Sequence, residues 1–250
     1  MVDIKIVRTR QITTNRTEIV VMKIGAFIQA RMSSQRFPGK VLKEIKGKPL
    51  LLYLVERLQQ CSSLDELVIA TSDDKSDEPV IDFCASKGIS YFIGSLKDVA
   101  KRFRDILDAY PVDAFIRING DSPLLDQRIV AHLIDIFCKF SFDFVTNAQK
   151  RTFPKGQSVE VVRRNFFCTH YPLFANEYDR EHVTPYFYRN MDVFNFFNLE
   201  SGKDWGSVQL SIDTPEDFLV IERMIQNMDK HHWKYDLEDL MSLRERTLQA

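Results

Sequence analysis

The feature that most restricts the fold is a rhythm that begins at Lys23. Short apolar runs at Ile24–Ala30, Leu67–Thr71, Tyr91–Ile93 and Ala114–Ile118 have the length of strands. Between them Leu51, Leu54, Val55 and Leu58, then Val80, Phe83 and Cys84, then Val99, Phe103, Ile106, Leu107 and Tyr110 recur at helical spacing. A further helix is expected over about 127–139, with Ile129, Leu133, Ile136 and Phe137 on one face. Strands separated by helices of this size imply right-handed crossovers and an α/β fold, its sheet mainly parallel with helices on both faces.

After residue 140 the rhythm changes. The stretches "DFVTN", "QSVEVV" and "VFNFFNL" are strand-like, and the chain between them is rich in Tyr, Phe, Arg and His. This reads as a mixed or antiparallel excursion, a small lobe over about residues 143–206. A last strand is expected at Val208–Ile212, leading into a helix over Pro215–Met228 with Thr214 as N-cap, Pro215 at N1 and Asp217 at N3. Residues 1–22, rich in Thr, Arg and β-branched residues, show no helical stripe and stand as an N-terminal extension without assigned role. Residues 23–250 are expected to form one domain.

Composition narrows the function. A net charge of -1 provides no global field for nucleic acid or an anionic membrane, so any anion site must be local. Cys61, Cys84, Cys138 and Cys168 lie far apart, with no metal-ligand spacing, which suits a reducing cytoplasm. No apolar run has the length of a membrane span or signal peptide.

The local anion site is expected directly after the first strand. Between Arg31 and Lys48 six cations (Arg31, Arg36, Lys40, Lys43, Lys46 and Lys48) stand against one anion, Glu44. Ser33 and Ser34 add short donors, and Gly39 allows close backbone approach. In open α/β sheets ligands bind at the carboxyl ends of the strands, and a triphosphate suits this chemistry. The loop is neither a Walker A loop nor a GxGxxG turn. Two further stretches, "FIRINGDSP" and "VQLSIDTP", each run from a strand-like segment into Asp, a hydroxyl residue and Pro. Asp121 and Asp213 would then sit at strand ends facing the basic loop, a pair of carboxylates suited to Mg²⁺ with a nucleotide. Asp213 reads equally well as a helix cap; Gly120 beside Asp121 favours a close-approach site there.

The stretches "QARMSSQRFPGKVLKEIKGKPLL", "VIATSDD", "GSLKDVAKRF", "RINGDSPLLD", "REHVTPY" and "SIDTPEDF" resemble, in order and spacing, the cytidylyltransferases of the spore-coat polysaccharide type, and more distantly the CMP-Kdo and CMP-sialic acid synthetases. The match runs from about Lys23 to Met228. It implies a Rossmann-like nucleotidyltransferase fold, CTP as co-substrate, Mg²⁺ as cofactor, pyrophosphate as product, and a homodimer formed by the lobe. By motif position Arg31, Arg36 and Lys40 are implied to contact the triphosphate, Ala30, Thr71 and Ser72 to approach the cytosine, and Arg102 to line the nucleotide pocket. Asn119 and Gly120 are implied at the ribose and α-phosphate, and Asp121 and Asp213 at magnesium. One departure is "GQSVEV" where the family commonly reads "GLDVEV", so that Ser158 replaces an acid while Glu160 remains.

On the acceptor side the lobe concentrates Arg151, Lys155, Glu160, Arg180, Glu181 and His182. Arginines suit a carboxylate or phosphate on a small sugar-like acceptor. His182 reads either as a group that polarises the acceptor hydroxyl or as a structural hydrogen-bonding residue. The leading expectation is activation of a sugar or sugar acid as its CMP derivative. The alternatives are the same chemistry on a phosphorylated or phosphonate acceptor, and a nucleotide-binding protein without catalysis.

Overall fold

Along the first strand the side chains divide between two cores: Ile24, Ala26 and Ile28 pack into one, Phe27 into the other. This period of two, apolar on both sides, is what a strand buried between two helical layers requires. A computed structural model describes residues 22–249. The N-terminal extension expected over residues 1–22 therefore lies, but for Met22, outside the described residues.

The main sheet holds seven strands: β1 (Ile24–Gln29), β4 (Glu66–Ser72), β5 (Tyr91–Gly94), β6 (Ala114–Asn119), β7 (Phe144–Thr146), β8 (Glu160–Arg163) and β9 (Phe196–Asn198). A small hairpin, β2 (Glu44–Ile45) and β3 (Lys48–Pro49), turns at Lys46 and Gly47, both with positive φ, as a tight two-residue hairpin demands. The order across the main sheet is β5-β4-β1-β6-β8-β7-β9. β8 alone runs antiparallel to its neighbours. This is the expected mixed, mainly parallel sheet.

On one face lie α1 (Leu50–Leu58), α2 (Glu78–Lys87), α4 (Gln127–Phe140), α8 (Pro215–Gln226) and α9 (Leu237–Gln249). On the other lie α3 (Val99–Ala109), α5 (Arg164–His170) and α7 (Pro185–Arg189), with α6 (Glu177–His182) packed on α3. The aromatic-rich stretch after β8 is thus helical. Its Phe166, Phe167, Phe174 and Phe187 fill the second core.

The expected strand Val208–Ile212 does not form. β6 is already flanked by β1 and β8, which leaves no ladder edge beside it. The segment instead runs over the end of the sheet with one bridge, Gln209 to Lys155, and the Ile212 amide donates to the Asp121 carbonyl at 2.9 Å. α9, which no sequence pattern had suggested, is anchored by Arg57. This fully buried guanidinium donates to the carbonyls of Leu125, His232 and Tyr235, tying the C-terminal segment to the loop after β6.

Candidate active site

β1 is bordered by β4 on one side and β6 on the other, so the carboxyl ends of β1 and β6 open a crevice where the winding direction switches. The basic loop leaves β1 there and folds back so that Gly39, at φ 70°, starts the short turn Lys40–Leu42. That turn sends Lys40 inward. Its Nζ donates to Asp121 Oδ2 at 2.6 Å and to the Ile212 carbonyl at 2.6 Å, and stands 3.5 Å from Asp213 Oδ1. One ammonium thus joins acids that are 92 residues apart in the chain. Arg36, exposed to solvent, reaches Asp213 Oδ1 at 2.9 Å.

The alternative role of Asp213 as a helix cap is settled by Asp217. Thr214 is the N-cap of α8 and accepts from the Asp217 amide. The Asp217 carboxylate in turn accepts the amides of Asp213 and Thr214, both at 2.9 Å. The capping box is complete without the Asp213 carboxylate, which faces Lys40, Arg36 and the Gln209 side chain at 3.2 Å.

Gly120 lies between Asn119 and Asp121 with its amide donating to the Gln29 carbonyl at 2.8 Å. A Cβ at this position would come within 3.0 Å of that carbonyl oxygen and 3.1 Å of Ala30 Cβ, so the backbones of β1 and β6 close on each other here. Asn119 is exposed at the rim, as is Ser33 on the loop. Thr71 and Ser72 end β4 beside Ala30, whose amide bonds to the Ala70 carbonyl. Among the described residues the Thr71 hydroxyl is buried without a protein partner, whereas the Ser72 hydroxyl is committed to Asp77. Arg102 on α3 is fully buried, and none of its guanidinium nitrogens has a partner among the described residues. Burial, and then the charge of Arg31, push it down to about 10, with Asp77 and Asp73 opposing. An unpaired buried cation of this kind is a donor set awaiting an acceptor.

Across β6 lies a separate cavity of about 360 Å³, lined by Arg117, Asn119, Arg151, Ser158, Glu160 and Tyr188 among others. Arg117 and Glu160 stand opposite each other in the β6–β8 register and pair at 2.8 Å. Glu160 also accepts from Thr184 at 2.8 Å and Tyr188 at 2.7 Å. Burial, and then the nearby Glu160 charge, push the Tyr188 phenol well above its ordinary range, so it remains a donor. Arg151 is exposed, donates to Ser158 Oγ at 3.1 Å and forms no ion pair among the described residues.

Arg180, Glu181 and His182, expected with Arg151 and Glu160 on the acceptor side, do not join them. α6 lies over α3, so Arg180 reaches the Phe174 carbonyl at 3.2 Å and Asp98 at 3.7 Å. Glu181 stands 3.8 Å from Arg31, and exposed His182 lies edge-on to Tyr178. Val183, buried at φ 70°, turns the chain so that Thr184 and Tyr188 point back to Glu160. Arg117, Thr184, Tyr188 and Gln209 are the site residues that sequence reasoning missed. The one signal was Arg117, a lone charge inside an otherwise apolar strand.

The donor set fits magnesium with a nucleotide better than a free-standing metal site. Among the described residues no group of three or more His, Cys, Asp or Glu could hold an ion. Asp121 and Asp213 are a pair of hard oxygen donors, sufficient for Mg²⁺ when phosphate oxygens and waters complete its shell. Among the described residues no helix is long and apolar enough to cross a membrane.

The chain matches the family described as Cytidylyltransferase over residues 26–243. It is 33% identical over 213 residues to the spore coat polysaccharide biosynthesis protein SpsF of Bacillus subtilis, covering 80% of this chain and 85% of that one. It is 32% identical over 129 residues to the 8-amino-3,8-dideoxy-manno-octulosonate cytidylyltransferase of Shewanella frigidimarina, covering 49% and 51% of the two chains. Among solved structures, a cytidylyltransferase from Leptospira borgpetersenii superposes with a TM-score of 0.87 at 29% identity, over 91% of this chain and 96% of that one.

Proposed function

The chain belongs to the cytidylyltransferase family of nucleotidyltransferase enzymes, and from that premise we propose that it transfers the cytidylyl group of CTP to a sugar or sugar acid, with Mg²⁺ as cofactor. The observation that carries this reading is Lys40 Nζ held between Asp121 and Asp213 at the switch point of the sheet. The acceptor hydroxyl attacks the α-phosphorus and gives up its proton to solvent, a new P–O bond forms, and the bond from the α-phosphorus to the oxygen it shares with the β-phosphate breaks to release pyrophosphate. Such displacements depend on positioning and charge compensation. Lys40, Arg36 and Arg31 lie where they offset charge on the leaving pyrophosphate, and Asp121 and Asp213 would hold the metal. When bound, Mg²⁺ supplies Lewis acidity toward phosphate oxygens. Arg102 and Thr71, buried and unpartnered, supply donors for the nucleotide.

The cavity across β6 is the acceptor site in this reading, since Asn119 belongs both to its wall and to the end of β6. Arg151, without an acid partner, favours an acceptor that carries a carboxylate or phosphate, so a phosphorylated or phosphonate compound is the second reading. The SpsF relative, named for spore coat polysaccharide biosynthesis, supports a sugar. The reading includes a cytoplasmic homodimer; exposed Leu173, Tyr178 and Val193 on the lobe support the dimer, and light scattering of the purified protein tests it.

The functional test is thermal stabilisation by CTP, UTP, ATP and GTP, each with and without MgCl₂. CTP with magnesium is expected to raise the melting temperature most; equal shifts with all four nucleotides defeat the assignment. A panel of sugars, sugar acids and phosphorylated sugars, scored by pyrophosphate release and product mass, identifies the acceptor.

A further inference from the structure

The loop that carries Arg31, Arg36 and Lys40 is tied down by a buried acid that bonds to Met32 and Ser72 and to none of Lys40, Asp121 and Asp213. Asp77, at the end of the turn Lys75–Asp77 ahead of α2, is fully buried. Its Oδ1 accepts the Met32 amide at 2.6 Å. Its Oδ2 accepts the Ser72 amide at 3.3 Å and the Ser72 hydroxyl. All these donors are neutral. Hydrogen bonds to an ionised acceptor are shorter and about twice as strong as neutral ones, and a carboxylate buried this way holds its donors rigidly.

Met32 is the node through which this tie spreads. Its carbonyl accepts the Ser34 amide at 3.0 Å and the Gly39 amide at 2.8 Å. Asp77 therefore fixes the amide of a residue whose carbonyl, one peptide further on, closes the loop immediately before Lys40. Arg31, just before Met32, and Lys40, just after the closure, are set relative to β4 by one buried carboxylate.

We propose that Asp77 is a positioning residue for the nucleotide, acting through the Met32 backbone to fix the spacing of Arg31 and Lys40 before CTP arrives. It deepens the reading above and rests on it, since it takes the crevice to be the CTP site. Groups held in place before the ligand binds lose no freedom on binding, so the tie appears as affinity.

β1 supplies its own control. At the opposite end of the strand Asp65 Oδ2 accepts the Ile24 amide at 2.7 Å, the same chemistry far from the crevice. A purely structural role makes the two aspartates equivalent; a positioning role does not. Wild type, Asp77→Ala, Asp77→Asn and Asp65→Ala are compared by calorimetric titration with CTP and MgCl₂, and by hydrogen exchange of the Met32 and Gly39 amides without nucleotide. Asp77→Ala is expected to bind CTP about tenfold or more weakly and to lose protection at both amides, including Gly39, which Asp77 does not touch. Asp77→Asn, which keeps one acceptor, falls between and carries the comparison if the alanine variant does not fold. Asp65→Ala stays within about twofold of wild type even at a matched loss of melting temperature. CTP affinity in Asp77→Ala within twofold of wild type, or unchanged Gly39 exchange, overturns the proposal. A wild type that fails to bind CTP overturns the functional reading instead, while Gly39 exchange still decides whether Asp77 holds the loop.

Discussion

The crevice and the cavity lie on two sides of β6, and they handle charge in opposite ways. In the crevice Lys40 divides itself between two carboxylates and a carbonyl, and Arg36 meets Asp213 from solvent. Each of these contacts is one that a polyphosphate or a metal can take over. In the cavity Glu160 already accepts from Arg117, Thr184 and Tyr188. A charge enclosed among its partners is a wall, and a charge open to solvent is a binding element: the side chains of Asp121 and Asp213 are 21% and 27% exposed, that of Glu160 7%. In the proposed reading Glu160 would then shape the acceptor site, whereas Asp121 and Asp213 would act in the nucleotide site.

The largest expected effect breaks the comparison at the crevice. Asp121→Asn removes one of the two acids and leaves Lys40 with a neutral partner, and pyrophosphate release is expected to fall roughly a hundredfold to a thousandfold, with the fold intact by circular dichroism. A folded variant with near wild-type turnover would remove Asp121 from the chemistry. At the cavity Glu160→Gln should do the reverse. Leaving the Arg117 guanidinium without its acid is expected to lower stability by about 3 kcal/mol in urea unfolding, while CTP affinity holds. Loss of CTP binding without loss of stability would show that Glu160 belongs to the nucleotide site after all.

The two regions also differed in how far the sequence revealed them. The parallel half was legible because a doubly buried strand writes an apolar run, and a crossover helix writes its stripe. The crevice followed from that, since Lys40, Asp121 and Asp213 fall at positions that the topology brings to one end of the sheet. The strand expected at Val208–Ile212 failed because a ladder needs a free edge, and occupancy of an edge is a tertiary fact. α6 misled for a similar reason: Arg180, Glu181 and His182 are close in sequence to Thr184, but Val183 turns the chain between them. Glu160 was expected on the acceptor side from its own segment, whereas its partners Arg117, Thr184 and Tyr188 come from distant stretches that no local pattern links.

A third region, the C-terminal segment that Arg57 ties to the loop after β6, offers a test by pH. His232 is held down to about 4 from its ordinary 6.5, chiefly by burial and against the Glu56 carboxylate, 2.7 Å from its Nε2. The folded protein therefore binds this proton less readily than the unfolded chain. The stability His232 contributes is complete above about pH 6.5 and is lost as pH falls toward 4, by up to about 3 kcal/mol. His232→Gln should flatten that part of the profile. Wild type should lose more stability than the variant between pH 7.5 and pH 4.5 in urea titrations; parallel losses would place the acid sensitivity elsewhere.

The smallest effect sharpens the comparison most, because it lies in the cavity but follows the rule of the crevice. Arg151 is exposed and, among the described residues, its side chain bonds only to Ser158 Oγ, so Arg151→Ala should leave stability within about 0.5 kcal/mol of wild type. If an unpaired cation at an opening is a binding element, the same variant should raise KM for an anionic acceptor about tenfold while KM for CTP stays put. Glu160→Gln in the same cavity would then show large stability loss, and Arg151→Ala almost none. Restoring an acid by Ser158→Asp gives Arg151 an internal partner and converts it from a binding element into a wall. Anionic acceptors should then bind more weakly, without any change in the arginine itself. Equal KM values for Arg151→Ala, Ser158→Asp and wild type would mean that the acceptor's charge is read elsewhere.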